Sequence, residues 1–76
     1  MSKTFSGKEI VRIFLKQYGF ESIGISGSHV KLRRIVDGVK ITVIVPLHKE
    51  IITGTFKSIL RQAKISQDDF LEKSRL

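Results

Sequence analysis

The sequence has no cysteine and no tryptophan, a single proline, and seven acidic residues against fourteen lysines and arginines. Without cysteine there is no disulfide framework, no thiolate zinc site and no thiol nucleophile, so packing alone must hold the fold. The longest apolar stretch, residues 43–47, is far short of a membrane span, and residues 1–8 lack the apolar centre of a secretory signal. A cytoplasmic location and no contact with membrane are expected. At 76 residues, one domain spanning 1–76 is the ceiling, with 1–4 and 73–76 expected to fray at its ends.

What is present is a globular balance, 41% apolar and 28% charged, which excludes the low-hydrophobicity signature of disorder. The net charge of +7 calls for an anionic partner. Its distribution is uneven. Residues 22–64 hold eight cations and two anions, whereas the other acids sit near the two ends. A basic centre between nearly neutral ends is a nucleic-acid footprint; a solubilising surface without a ligand is the bland alternative.

Ser6 followed by Glu9 is a capping box, and Ile10, Phe14 and Tyr18 then recur at helical spacing, widened by Val11, Ile13 and Leu15. Gly19 suits the left-handed position after that helix. From Phe20 the period changes to two. A turn at Gly27-Ser28 pairs Ile25 with Val30 and Ile23 with Leu32, and a type I′ turn at Asp37-Gly38 pairs Leu32 with Val43 and Val30 with Val45. Both registers put Ile23, Ile25, Val30, Leu32, Val36, Val39, Ile41, Val43 and Val45 on one face, the expected core. Arg34 shares that parity and is expected at the rim, its guanidinium reaching out to water. His29, Lys31, Arg33, Ile35, Lys40, Thr42 and Ile44 take the other face. Pro46 ends the third strand. A second helix is expected from Thr53–Thr55, with threonine as its cap, burying Phe56, Ile59, Leu60 and Ala63. Ser66 with Asp69 caps a short third helix carrying Phe70 and Leu71. The result is an α+β fold, a three-stranded antiparallel sheet with its helices packed on one face.

Few residues could do chemistry. There is no phosphate-binding glycine loop, and His29 and His48 lie on different elements with too few carboxylates nearby for a metal, so no metal and no cofactor are expected. His29 follows the Gly27-Ser28 turn on the polar face, with Lys31 and Arg33 next along it. An imidazole titrates near neutrality, so it can take the proton of an RNA 2′-hydroxyl or give one to the leaving oxygen. Lysine and arginine beside it would stabilise the charge that develops on phosphorus. A turn histidine without a role is the competing reading. His48 is either a second acid or base or a residue that shapes the loop after Pro46. Lys57 and Arg61 on the second helix are common solvated residues. With Lys31, Arg33 and Lys49 they would let an RNA backbone run along one side.

Taken in order, Tyr18-Gly19-Phe20, Gly27-Ser28-His29, Val45-Pro46-Leu47-His48 and Gly54-Thr55-Phe56, leading through Ile59-Leu60-Arg61-Gln62-Ala63 to Ile65-Ser66 and Phe70-Leu71, resemble a HicA-type toxin. The resemblance covers nearly the whole chain. It implies a fold similar to a double-stranded-RNA-binding domain, α-β-β-β-α, here with a short extra C-terminal helix. It also implies an mRNA-cleaving endoribonuclease whose essential histidine maps onto His29, and neutralisation by a HicB-type antitoxin protein that covers the active site. The chain departs from the family pattern in its basic run after His29 and in residues 49–53, which lack the usual glycine. A non-catalytic RNA-binding module with the same basic surface is the alternative; a domain that binds an acidic protein is a third.

Overall fold

Ser6 and Glu9 form the reciprocal cap their spacing predicts: Ser6 Oγ accepts from the Glu9 amide at 3.1 Å and Glu9 Oε1 accepts from the Ser6 amide at 2.9 Å. They start α1, Gly7–Gln17, in a computed structural model that describes residues 4–76. The fraying expected of residues 1–3 lies outside the described residues. Gly19 takes φ +69° and turns the chain into β1, Glu21–Ser26. Then follow β2, His29–Val36, and β3, Val39–Pro46, in a sheet ordered β1-β2-β3. Two helices complete the fold, α2, Thr53–Ala63, and α3, Gln67–Lys73. Among the described residues no helix is long and apolar enough to cross a membrane.

Both turns carry the backbone their sequences call for. Gly27 has φ +58°, and Asp37 and Gly38 have φ 50° and 78°, as a type I′ turn requires. The β2–β3 register runs as expected from His29↔Pro46 to Val36↔Val39. The β1–β2 register holds from Ser26↔His29 to Gly24↔Lys31 and then shifts, so that Ser22, not Ile23, opposes Leu32. A bulge between Ser22 and Gly24 absorbs Ile23, and Gly24 has open space where a Cβ would stand.

The expected core face is buried over half its length. Val30, Leu32, Val43 and Val45 are buried and Ile41 packs against them, whereas Ile25, Val36 and Val39 are 69%, 38% and 60% exposed, and Ile23 is exposed as well. Ile25 stands level with buried Val30 and Val45 but on the edge strand β1; for Val36 and Val39 the reason is length. An eleven-residue helix covers about 16 Å and an eight-residue strand about 27 Å, so strands that pack on such helices must overhang. Leu15, expected on the apolar stripe, also stays exposed. The core is completed by phenylalanine. Phe5 pairs with Ile51 as an isolated bridge, stacks on Phe56 and meets Phe70 edge-on at 5.2 Å, while Phe70 also contacts Phe14 and Phe56. Ile51 is buried within the segment that lacks the usual glycine.

Arg34 does not reach out to water. Its Nη1 donates to the Tyr18 carbonyl at 3.2 Å and its Nη2 to the Ala63 carbonyl at 3.3 Å, with the guanidinium over the rings of Tyr18 and Phe20. Two helices end beside this residue with unpaired carbonyls, and a planar cation satisfies both. The clamp also fixes orientation. The C-termini of α1 and α2 lie at the Arg34 end of the sheet, so both N-termini point to the opposite end.

α3 is capped by Ser66, whose Oγ accepts from the Asp69 amide at 3.1 Å. The chain ends in turns, with the amides of Ser74, Arg75 and Leu76 donating to Phe70, Glu72 and Lys73. Asp69 accepts from Tyr18 Oη at 2.5 Å and from Lys73 at 3.2 Å, tying α3 to α1. These two donors hold the Asp69 carboxyl below its ordinary value of 3.8. Burial, helped by the Asp69 carboxylate, pushes the Tyr18 phenol up. A carboxyl with a lowered folded pKa contributes stability above its unfolded value and loses it as pH falls through the folded one. Below about pH 4 the tie should weaken, and Asp69→Asn should flatten the acid limb of the stability–pH curve. Urea melts from pH 7 to pH 2.5 check this; an acid limb identical in both proteins would assign the acid sensitivity elsewhere.

Candidate active site

His29 opens β2 directly after the Gly27-Ser28 turn, and its side chain is exposed. Two backbone bonds fix the surroundings. The Leu47 amide donates to the Ser28 carbonyl at 2.6 Å, and the Gly7 amide donates to the His48 carbonyl at 2.9 Å. The segment from Pro46 to His48 is thus strapped on one side to the turn that carries His29 and on the other to the start of α1. Gly7 permits this approach, since a Cβ there would stand 2.8 Å from Leu47 Cα and would overlap the Pro46 carbonyl oxygen. Gly7→Ala should therefore destabilise by about 1–3 kcal/mol, the usual cost of overpacking against backbone, and should loosen the strap. Thermal melts check it, and a melting temperature equal to wild type would refute the close packing.

Gly7 does not stand out in the sequence by periodicity or charge. The available signal was a glycine at the first helical position right behind a capping serine, where nothing about the helix itself requires one.

The α2 N-terminus lies at the same end, because Ile51 pairs with Phe5 just ahead of α1. Threonine does not cap it. The N-cap is Ile52, which offers no side-chain acceptor, and Thr53 and Gly54 are exposed. The positive ends of two helices therefore face the end of the molecule where both histidines stand, which favours an anion there. Among the described residues neither imidazole makes a hydrogen bond with the protein, so both are available to a ligand.

The register places Lys31 on the His29 face two residues on, about 7 Å along the strand, exposed and opposite Ile44. Arg33 follows on the same face, half-buried between Glu21 and Thr42. Lys49 is exposed one residue beyond His48. Lys57 and Arg61 are exposed on α2, whose opposite side packs Phe56, Ile59, Leu60 and Ala63 into the core. They stand on the helical layer, with the sheet between them and Lys31 and Arg33. The basic side expected from sequence is divided between two layers that meet at the histidine end.

This surface is open. Cavities of about 300 Å³ and 220 Å³ occur elsewhere, one between α1 and the C-terminal turns and one where β1 begins, and neither is lined by a histidine. All five phenylalanines are buried, and Tyr18 is engaged with Asp69. Base stacking on an aromatic platform is therefore not offered at this end. The arrangement suits a polymer held by its phosphates, with an imidazole within reach of one of them.

The family model described as the HicA toxin of bacterial toxin–antitoxin matches residues 7–65. No curated protein matches the chain.

Proposed function

The chain belongs to the HicA family, toxins of bacterial toxin–antitoxin pairs, and from that premise we propose that it is a metal-independent endoribonuclease that cleaves mRNA in the cytoplasm and is inhibited by a HicB-type antitoxin. The observation that carries the reading is His29, an exposed imidazole at the mouth of β2, flanked by Lys31 on one face and facing the end where two helix N-termini point. In this reading His29 takes the proton of a 2′-hydroxyl. The resulting oxygen attacks the adjacent phosphorus, the bond from phosphorus to the 5′-oxygen breaks, and the leaving oxygen accepts a proton. The products are a 2′,3′-cyclic phosphate and a 5′-hydroxyl end. Lys31, Arg33 and Lys49 oppose the negative charge on the phosphate oxygens. His48, on the strapped segment next to the turn, is the candidate for the second proton transfer.

A labelled single-stranded RNA incubated with the purified chain in EDTA separates this reading from a binding module. Shorter products are expected. RNA that is retarded on a native gel but remains full length would assign the basic surface to binding alone.

A further inference from the structure

Val30, Leu32, Val43 and Val45 turn to the core, so the residues that alternate with them stand on the face of the sheet away from the helices. On that face the row next to His29 holds Gly24, Lys31 and Ile44, one residue from each strand. Two of the three are out of place there. Glycine inside a strand gives up side-chain packing and costs chain entropy, so the fold should have a use for it. Gly19, Gly27 and Gly38 take positive φ, and Gly7 is pressed against the Pro46 carbonyl. Gly24 meets neither need. Its φ lies outside the left-handed region, so the neighbouring bulge does not demand a glycine, and a Cβ there would have nothing within 4 Å. Ile44, across Lys31 from it, is an aliphatic side chain 47% exposed on a basic face. A strand glycine that the fold does not require marks a place where a ligand comes close to the backbone.

We propose that this row is the subsite for the nucleotide next to the scissile phosphate of a single-stranded RNA. The RNA backbone passes over Gly24, its phosphate rests on the Lys31 ammonium, and the ribose and one face of the base lie on Ile44. Lys31 stands about 7 Å from His29 along β2, which matches the stride between successive phosphates of an extended strand. A phosphate within reach of the imidazole therefore sets the next one over this row. In the following row Glu21 stands beside Arg33 and offsets its charge, so Lys31 is the stronger hold. A side chain at position 24 would rise level with Lys31 and lift the backbone off it. A base paired in a duplex keeps its faces stacked on its neighbours and cannot lie on Ile44, so the row selects unpaired RNA. The identity of the polymer rests on the reading of the chain as an RNA-cleaving enzyme; the place rests on the sheet register and on Gly24.

The test is fluorescence anisotropy of the full-length chain with a short labelled single-stranded RNA whose 2′-hydroxyls are methylated, which keeps every phosphate but cannot react through the 2′-oxygen. Gly24→Val is expected to weaken binding about tenfold and to flatten the slope of log affinity against log salt by about one, the share of one phosphate contact. Its melting temperature should not fall, since valine suits a strand better than glycine and enters open space. Ile44→Ala should weaken binding about fivefold and leave the salt slope unchanged. Lys31→Ala added to Gly24→Val should cost little more, because the phosphate has already left the ammonium. The same sequence as a duplex should bind Gly24→Val and wild type alike. Wild-type affinity and slope in Gly24→Val overturn the proposal, as does a loss that adds in full to that of Lys31→Ala, or a melting temperature several degrees lower, which would make Gly24 a residue of the fold. If Gly24→Val binds poorly while wild type leaves the unmethylated RNA uncut, the cleavage reading fails and the subsite stands. If wild type cuts that RNA and Gly24→Val binds unimpaired, the subsite fails and the cleavage reading stands.

Discussion

His29→Ala is expected to lower RNA cleavage by about 10²- to 10⁴-fold, the span that a positioned general acid or base supplies, and to abolish growth arrest on expression. The side chain is exposed and makes no hydrogen bond within the described structure, so the substitution removes the reacting group without opening a cavity. Melting temperature and RNA affinity should stay close to wild type, because the cations at Lys31, Arg33 and Lys49 remain. That combination is the diagnostic outcome. A fall in cleavage accompanied by an equal fall in affinity would make His29 a phosphate contact, and equal growth arrest from both proteins would remove it from the chemistry.

The largest effect on stability is expected at Phe70. It is fully buried and touches Phe5, Phe14 and Phe56, so it joins α3, α1, α2 and the segment ahead of α1. Phe70→Ala should cost about 3–5 kcal/mol through lost burial and the cavity left behind. A chain of 76 residues has a total stability of about 4–11 kcal/mol, so the loss takes a large share. In a domain this small it should lower the melting temperature by roughly 15 °C or more. Phe70 lies outside residues 7–65, which carry the family match. A chain cut after residue 65 should accordingly fail to fold cooperatively. A Phe70→Ala protein that melts within a few degrees of wild type would show that α3 is an appendage.

Much of this architecture was legible because local signals agreed with one another. The Ser6 and Glu9 box, the two glycine turns and the period-two alternation set the first helix, the three strands and the whole β2–β3 register. The failures share a cause, which is that local pattern carries no information about what lies above a strand. Parity put Ile25, Val36 and Val39 on the inner face correctly, but whether that face is covered depends on helix length and placement. Ile23 fell into a bulge that the spacing of two turns cannot reveal. Arg34 was drawn inwards by two carbonyls, Tyr18 and Ala63, that are distant in sequence. At the candidate site, the pairing of His29 with Pro46 followed from the register. The strap through Ser28, Leu47, His48 and Gly7 did not, since it depends on where the first helix begins relative to the end of the third strand. The split of the basic residues between sheet and helix layers was likewise invisible until the layers were assembled.

The central claim is that an imidazole on an open basic surface cuts RNA through the 2′-hydroxyl. Its most direct test compares wild type and His29→Ala, in EDTA, on one labelled RNA and on the same strand with deoxyribose throughout. Wild type should shorten the RNA and leave the deoxyribose strand whole, and His29→Ala should leave both at full length. Cleavage of the RNA by His29→Ala at the wild-type rate, or cleavage of the deoxyribose strand by wild type, would contradict it.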